Sequence, residues 1–380
     1  METRINLRDF DRDKMINKVE EMGEKPFRGK QLYEWVHGKR VDSFEEMTNL
    51  SAGLRERLDG AFVLDPLTVV DQQRAADGST AKFLFELPDG ERIESVWMRY
   101  KHGDSVCVSS QVGCRMGCSF CASTIDGLVR NLTPGEMLSQ VYDIEREMYH
   151  ADAAGTRTKT DAAQTGTERD AAGTTSGHIN SIIVMGMGEP FDNYDNLIAF
   201  FRLLTDADGR DLSARHITVS TCGLPDGIRR LADEGLPVTL ALSLHAPNDE
   251  LRQQIMPIAR RYPLREVFDA CGDFFKKTGR RITFEYSMIR GVNDSTAHAE
   301  ELAGICRNLQ KNGMPVHINL IPLNEVKERG HARAVKEDIE SFQKILEKNR
   351  INVTIRREMG SEIDAACGQL RRRHAAGERR

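Results

Sequence analysis

Three cysteines crowd into one short stretch, SSQVGCRMGCSFCAST (109–124), as Cys114, Cys118 and Cys121, spaced C-x3-C-x2-C with no fourth thiol following. Thiolates bind soft metals, and their number limits the site they can build. Structural zinc closes with four ligands, commonly in two pairs. The nearest histidines, His102 and His150, sit in no pairing motif. A [4Fe-4S] cluster takes one thiolate per iron, so three cysteines leave one iron open to a small chelating ligand. Phe120, just before the last cysteine, is placed to cover such a ligand or simply to pack.

Such a loop needs a rigid frame. From about Ser105 onward apolar, β-branched runs recur (SVCVSS, INSIIVMG, HITVST, VTLALSLH, RITFEYSMI, VHINLIPL). Between them the apolar spacing predicts helices over 134–149, 194–205, 227–233, 264–278 and 297–312. Repeated strand–helix alternation means a parallel sheet with crossover helices, doubly wound or curled into a barrel. Polar or glycine residues end most of the strands: the cysteine loop, GMGEP, STCG, SLHAP and NLIPLN. In α/β barrels those carboxyl-end loops form the active site.

The flanks read differently. Residues 1–60 are expected to form a small helical module, with FRGKQLYEWVHGKR either contacting RNA or packing Leu32, Trp35 and Val36 inward. Residues 61–100 alternate around Asp77-Gly78 and Asp89-Gly90, which predicts a linking hairpin. The barrel is expected over 101–350, with 151–177 a disordered insertion because that segment holds no large apolar residue. A last strand (351–357), a Cys367 loop and a basic tail complete the chain. RRRHAAGERR is read either as a frayed terminus or as a face for phosphates. Eight sparse cysteines, no long apolar run and no leader-like start lead us to expect a reduced, cytoplasmic protein without a membrane span. The net charge of −5 speaks against a uniformly basic nucleic-acid binder.

C-x3-C-x2-C with an aromatic before the final cysteine, opening a strand–helix barrel, resembles the radical S-adenosylmethionine (SAM) superfamily. GMGEP is similar to that family's glycine-rich strand end, where the methionine amino group of SAM is held, here by Gly188 and Glu189. The resemblance implies an α/β fold, a partial (βα)6 barrel, with a [4Fe-4S] cluster on Cys114, Cys118 and Cys121. SAM would chelate the open iron and yield a 5′-deoxyadenosyl radical on reductive cleavage.

QLYEWVH, RIESVW, ALSLHAPND, IMPI, EYSMIRGVND, NLIPLN and DAACGQL together resemble the RNA adenine methyltransferases of the RlmN and Cfr group. The likeness spans almost the whole chain, apart from 151–177 and the Arg-rich end. It implies that Cys367 takes a methyl from a first SAM and loses a hydrogen to the radical from a second, then adds to adenine as a protein–RNA adduct. Cys107 would resolve that adduct through a transient disulfide, and Glu94 would accept the ring proton. Ser220, Ser243, Leu244, His245 and Asn324 match SAM-contacting positions. The stretch from Asn324 reads NEVKERG, where many members have proline directly after the asparagine, a departure that bears on the local loop path. Cys222, Cys271 and Cys306 match no motif and are assigned to packing. The implied partners are 23S rRNA, tRNA and a donor such as flavodoxin or ferredoxin, with the enzyme a monomer. A Cfr-type enzyme acting on carbon 8, and a non-catalytic metal-containing RNA-binding protein, are the alternatives.

Overall fold

The computed structural model describes residues 4–64, 66–150, 178–356 and 368–375. The proposed insertion 151–177 and Cys367 lie outside them. The amino-terminal unit begins with strand β1 (Ile5–Asn6) and helices α1 (Arg12–Glu21), α2 (Pro26–Tyr33) and α3 (Ala52–Ala61), then strand β2 (Phe62–Val63), which pairs parallel with β1. Asp11 and Ser51 cap α1 and α3 by accepting from Lys14 and Leu54 nitrogens, and Pro26 opens α2 where its missing N–H costs nothing. Leu32 and Val36 are buried as expected. Trp35 is only half-buried: its Nε1 donates to Asn49 and Lys39 lies over its ring.

The expected hairpin is a three-stranded meander. The two expected Asp-Gly turns join β3 (Thr68–Arg74), β4 (Thr80–Glu86) and β5 (Arg92–Tyr100), and β5 pairs antiparallel with β6 (Gly103–Cys107). From β6 the sheet turns parallel. A short antiparallel ribbon, β7 (Gln111–Gly113) with β8 (Leu128–Asn131), pinches the base of the cysteine loop. Then come α4 (Pro134–Glu145), β9 (Ile179–Val184), α5 (Tyr194–Thr205), β10 (Ile217–Thr221), α6 (Pro225–Asp233) and β11 (Thr239–Ser243). Helices α7 (Asp249–Ile255) and α8 (Leu264–Thr278) lead to β12 (Ile282–Met288), α9 (Thr296–Lys311), β13 (Val316–Pro322), α10 (Lys336–Lys348) and β14 (Asn352–Ile355).

The strand order is β14-β13-β12-β11-β10-β9-β6-β5-β4-β3, so among the described residues β14 and β3 are the edges of the sheet. Six parallel strands, β6 and β9–β13, make the barrel, and β14 extends it as a seventh. The six expected strands and five expected helices all form, with ends shifted by a few residues. A last helix, α11 (Gln369–Ala375), follows.

Helix α4 is buried along every one of its residues. A capping box between Thr133 and Glu136 starts it, and Asp9 of the amino-terminal unit accepts from the Gly135 nitrogen at 2.7 Å. Its sequence is too polar for an ordinary core helix, so each buried polar group must find a partner. Gln140 faces the sheet, exchanging hydrogen bonds with Ser109 and accepting from Ser95. On the other side Arg8, fully buried, reaches Ser139 at 3.0 Å and Asp143 at 3.2 Å, while Arg40 and Arg210 flank Glu145. The amino-terminal unit is thus the outer wall of a buried helix. Among the described residues no helix is long and apolar enough to cross a membrane.

Candidate active site

The carboxyl ends of the parallel strands surround a cavity of about 270 Å³. Met185, Ser220, Ser243, Ser287, Ile321 and Arg356 line it, one from the end of each parallel strand from β9 to β14. One wall is the cysteine loop, with Cys114, Cys118, Phe120 and Cys121. The loop is held from several sides. Ser119 nitrogen donates to Ile255 of α7 at 2.8 Å, and Thr124 Oγ1 donates to the carbonyls of Cys118 and Cys121. Arg329 donates to the Cys121 carbonyl and to Thr124.

Burial pushes the Cys114 thiol up to about 12 and raises Cys118 further, with each of the other two loop cysteines adding to the rise at Cys118. Three would-be anions therefore crowd one wall, an arrangement that a cationic iron core relieves. No three His, Cys, Asp or Glu side chains among the described residues close around a single ion. A four-iron cluster, taking one thiolate per iron, does not require that. The donor set fits such a cluster on Cys114, Cys118 and Cys121. When bound, cluster and SAM together supply one-electron cleavage chemistry and a strong hydrogen-atom acceptor.

GMGEP lines the cavity beside the base of the cysteine loop, with the nitrogens of Ser110 and Gln111 donating to the Met187 carbonyl. Gly188 has φ +108, and a Cβ there would meet Gln111 Cβ at 2.6 Å, so the glycine is demanded by the neighbouring chain as well as by access to the cavity. Glu189 is buried and already engaged. Its carboxylate accepts from Thr221 Oγ1 (2.8 Å), Cys222 nitrogen (2.8 Å) and Phe191 nitrogen (3.1 Å), while burial raises its pKa. It ties the end of β9 to the end of β10 while facing the cavity.

Ser220 and Ser243 hydroxyls lie 3.2 Å apart. His245 adopts φ +59, and its Nδ1 accepts from Ser287 nitrogen at 2.9 Å. That bond leaves the proton on Nε2. Burial, aided by Arg252, pushes the ring pKa down to about 3, so His245 is a neutral donor. Phe120 meets it edge-on at 4.9 Å. Asn324 lines the cavity. Leu244 does not: its side chain is fully buried in the main core.

Cys107 is buried at the end of β6, opposite Val96, among Val96, Met98 and Met185. Met185 lines the cavity, so Cys107 stands one side chain behind its wall. It is a free thiol. Glu94 lies two residues from Val96 on the same face of β5, buried and not an exposed strand glutamate. Its oxygens accept from Lys82 Nζ (2.8 Å) and from the nitrogens of Gly368 (2.5 Å) and Arg371 (2.6 Å).

Several cavity residues escape sequence reasoning. Cys222, assigned to packing, lines the cavity and touches Glu189; Cys271 and Cys306 are the core residues expected. Glu285 also lines it, with its pKa raised by burial and Asn319 donating to it at 2.8 Å. The period-2 spacing of Glu285 and Ser287 in EYSMI was the available signal.

Fold and site together define a radical SAM enzyme. Residues 5–64 match the family described as ribosomal RNA large subunit methyltransferase N-terminal domain, and residues 108–303 match the radical SAM superfamily. The "Probable dual-specificity RNA methyltransferase RlmN" of Desulforamulus reducens is 47% identical over 371 residues, covering 98% of this chain and 97% of its own. The Bacillus subtilis protein of the same name is 45% identical, covering 99% and 96%. The crystal structure of a radical SAM methyltransferase from Sphaerobacter thermophilus matches with a TM-score of 0.85 at 41% identity, covering 96% and 98%. The chain belongs to the RlmN family of radical SAM RNA methyltransferases, which use a [4Fe-4S] cluster and two SAM molecules per turnover.

Proposed function

We propose that this enzyme makes 2-methyladenosine in 23S rRNA at the peptidyl-transferase centre and in tRNA beside the anticodon. The observation that carries the reading is near-full-length similarity, at 45–48% identity, to relatives named dual-specificity RNA methyltransferases. Adenine carbon 2 is too electron-poor to attack a SAM methyl, whereas a thiolate attacks it readily. Cys367 therefore takes the methyl first. Loss of a hydrogen atom from that S-methyl group, to the radical that a second SAM would supply, lets its carbon bond to the ring, joining protein to RNA. The adduct's unpaired electron would return to the cluster and the ring carbon's own hydrogen leaves as a proton to Glu94; the Cys107 thiolate then attacks the Cys367 sulfur, breaking its bond to the new carbon, which takes up a proton to become the methyl group, and leaving a disulfide.

Gly188, Glu189, Ser220, Ser243, His245 and Asn324 would hold SAM beside a cluster carried by Cys114, Cys118 and Cys121; Leu244 would contribute only backbone. The enzyme works as a cytoplasmic monomer, where its thiols stay reduced and a flavodoxin or ferredoxin can supply electrons.

The test is mass spectrometry of nucleosides from 23S rRNA and tRNA of a strain lacking the enzyme, before and after the gene is restored. Appearance of 2-methyladenosine in both RNAs is expected, and its loss in Cys114→Ala and Cys367→Ala variants. Appearance of 8-methyladenosine instead would establish Cfr-type chemistry, and absence of both would reject the substrate.

A further inference from the structure

A buried lysine is costly unless its charge is met. Lys82 is 0% exposed on β4, and its ammonium lies 2.8 Å from Glu94 Oε2 on the neighbouring strand. The register sets Leu84 opposite Glu94, so Lys82 approaches diagonally from the same face. The carboxylate's other bonds run to the nitrogens of Gly368 and Arg371, at 2.5 and 2.6 Å. Those are among the N–H groups that a first helical turn leaves without an intrahelical acceptor. Gly368 itself, at φ +81, rests on the end of the cysteine loop: a Cβ there would come within 2.9 Å of Ser123 nitrogen. Only a residue without a side chain fits both that conformation and that contact.

We propose that Lys82 is a positioning residue for the thiol chemistry. By neutralising Glu94 it holds the carboxylate where it grips the start of α11, and so fixes the chain immediately after Cys367 against the wall that carries the three cysteines. The role rests on Cys367 being the methyl carrier, as proposed above. Without the ammonium, Glu94 would be a lone buried anion and would turn to solvent or to the neighbouring arginines, releasing α11. Lys82 touches neither substrate nor SAM in this scheme; it acts through Glu94.

Hydrogen exchange read by mass spectrometry on the full-length protein, without RNA or SAM, tests this. In Lys82→Met the segment 368–375 is expected to exchange at least tenfold faster than in the wild type. Arg371→Pro deletes one gripped N–H in a first turn that tolerates proline, and should do the same. Arg371→Ala keeps that N–H and should stay within about twofold of wild type; the side chain it removes reaches Glu91 at 3.3 Å. Arg371→Pro alters no core position, so the comparison stands even if Lys82→Met fails to fold. In the reconstituted enzyme Lys82→Met should lower kcat for methylation by tenfold or more with KM for RNA unchanged. Equal exchange in Arg371→Pro and Arg371→Ala, wild-type protection of 368–375 in a folded Lys82→Met, or a loss confined to KM would each overturn the proposal. The exchange measurement involves no methylation, so a wrong substrate assignment would leave it intact.

Discussion

Both ends of the chain are fastened to the barrel by arginines, yet the two fastenings are built to different standards. At the amino-terminal unit, Arg8 meets Asp143 with both side chains at 1% exposure or less, over the ring of Tyr142. At α11, Arg372 reaches Glu328 at 2.8 Å and Asp126 at 3.2 Å, but those carboxylates are about half exposed. Arg371 and Arg92 add contacts to Glu91 and His374 of similar character. Water competes for the second set and not for the first. The amino-terminal unit is therefore a permanent wall. The carboxyl-terminal helix is a strap, with surface ion pairs that guide it and one buried carboxylate, Glu94, that grips it. The strap touches the cysteine-loop wall of the cavity through Gly368, which packs on Ala122 and Ser123.

The contrast can be broken most severely at Arg8. Arg8→Met takes from Asp143 its buried partner, leaving the more exposed Arg146 at 3.5 Å, and is expected to cost about 3 kcal/mol, read as a lower urea midpoint. A smaller effect should come from acid. Burial pushes His37, in the amino-terminal unit, down to about 4 from its ordinary 6.5, and its Nε2 stays bonded to the Phe10 carbonyl. The unfolded chain binds this proton first, so the contribution is whole above pH 6.5 and drains away as the pH falls towards 4. A loss on the order of 2–3 kcal/mol between pH 7 and 4.5 is expected from this group, and His37→Gln should flatten that part of the pH dependence. Smallest is Arg372→Ala, at about 0–1 kcal/mol. Raising salt should reproduce its effect on exchange of 368–375 while leaving the amino-terminal unit unmoved.

The barrel was legible because apolar period and strand-end glycines are local signals, and the cysteine loop because its spacing is. What escaped depends on contacts across long separations. Nothing in PGEMLSQVYDIE shows that Asp143 is to be buried; that follows only once Arg8 arrives. The tail RRRHAAGERR read equally well as a loose end or a phosphate-binding face, whereas Arg371 and Arg372 are committed to carboxylates within the protein. The burial of Glu94 in RIESVW was not legible, because alternation along β5 says which face a residue takes, not what later covers that face. Cys222 was dismissed for want of a motif, though it directly follows β10, whose end opens on the cavity.

The wrapped helix α4 also sets a timetable. Arg8 and Asp143 are separated by 135 residues, and at roughly 5–20 residues per second a ribosome needs on the order of 7 to 27 seconds to make the intervening chain. During that interval the amino-terminal unit waits with Arg8 solvated and its docking face bare. Its partner helix, when it emerges, brings acidic groups that no apolar surface will accept. The two can be buried only together, so the first segment to be synthesised is among those that finish folding late.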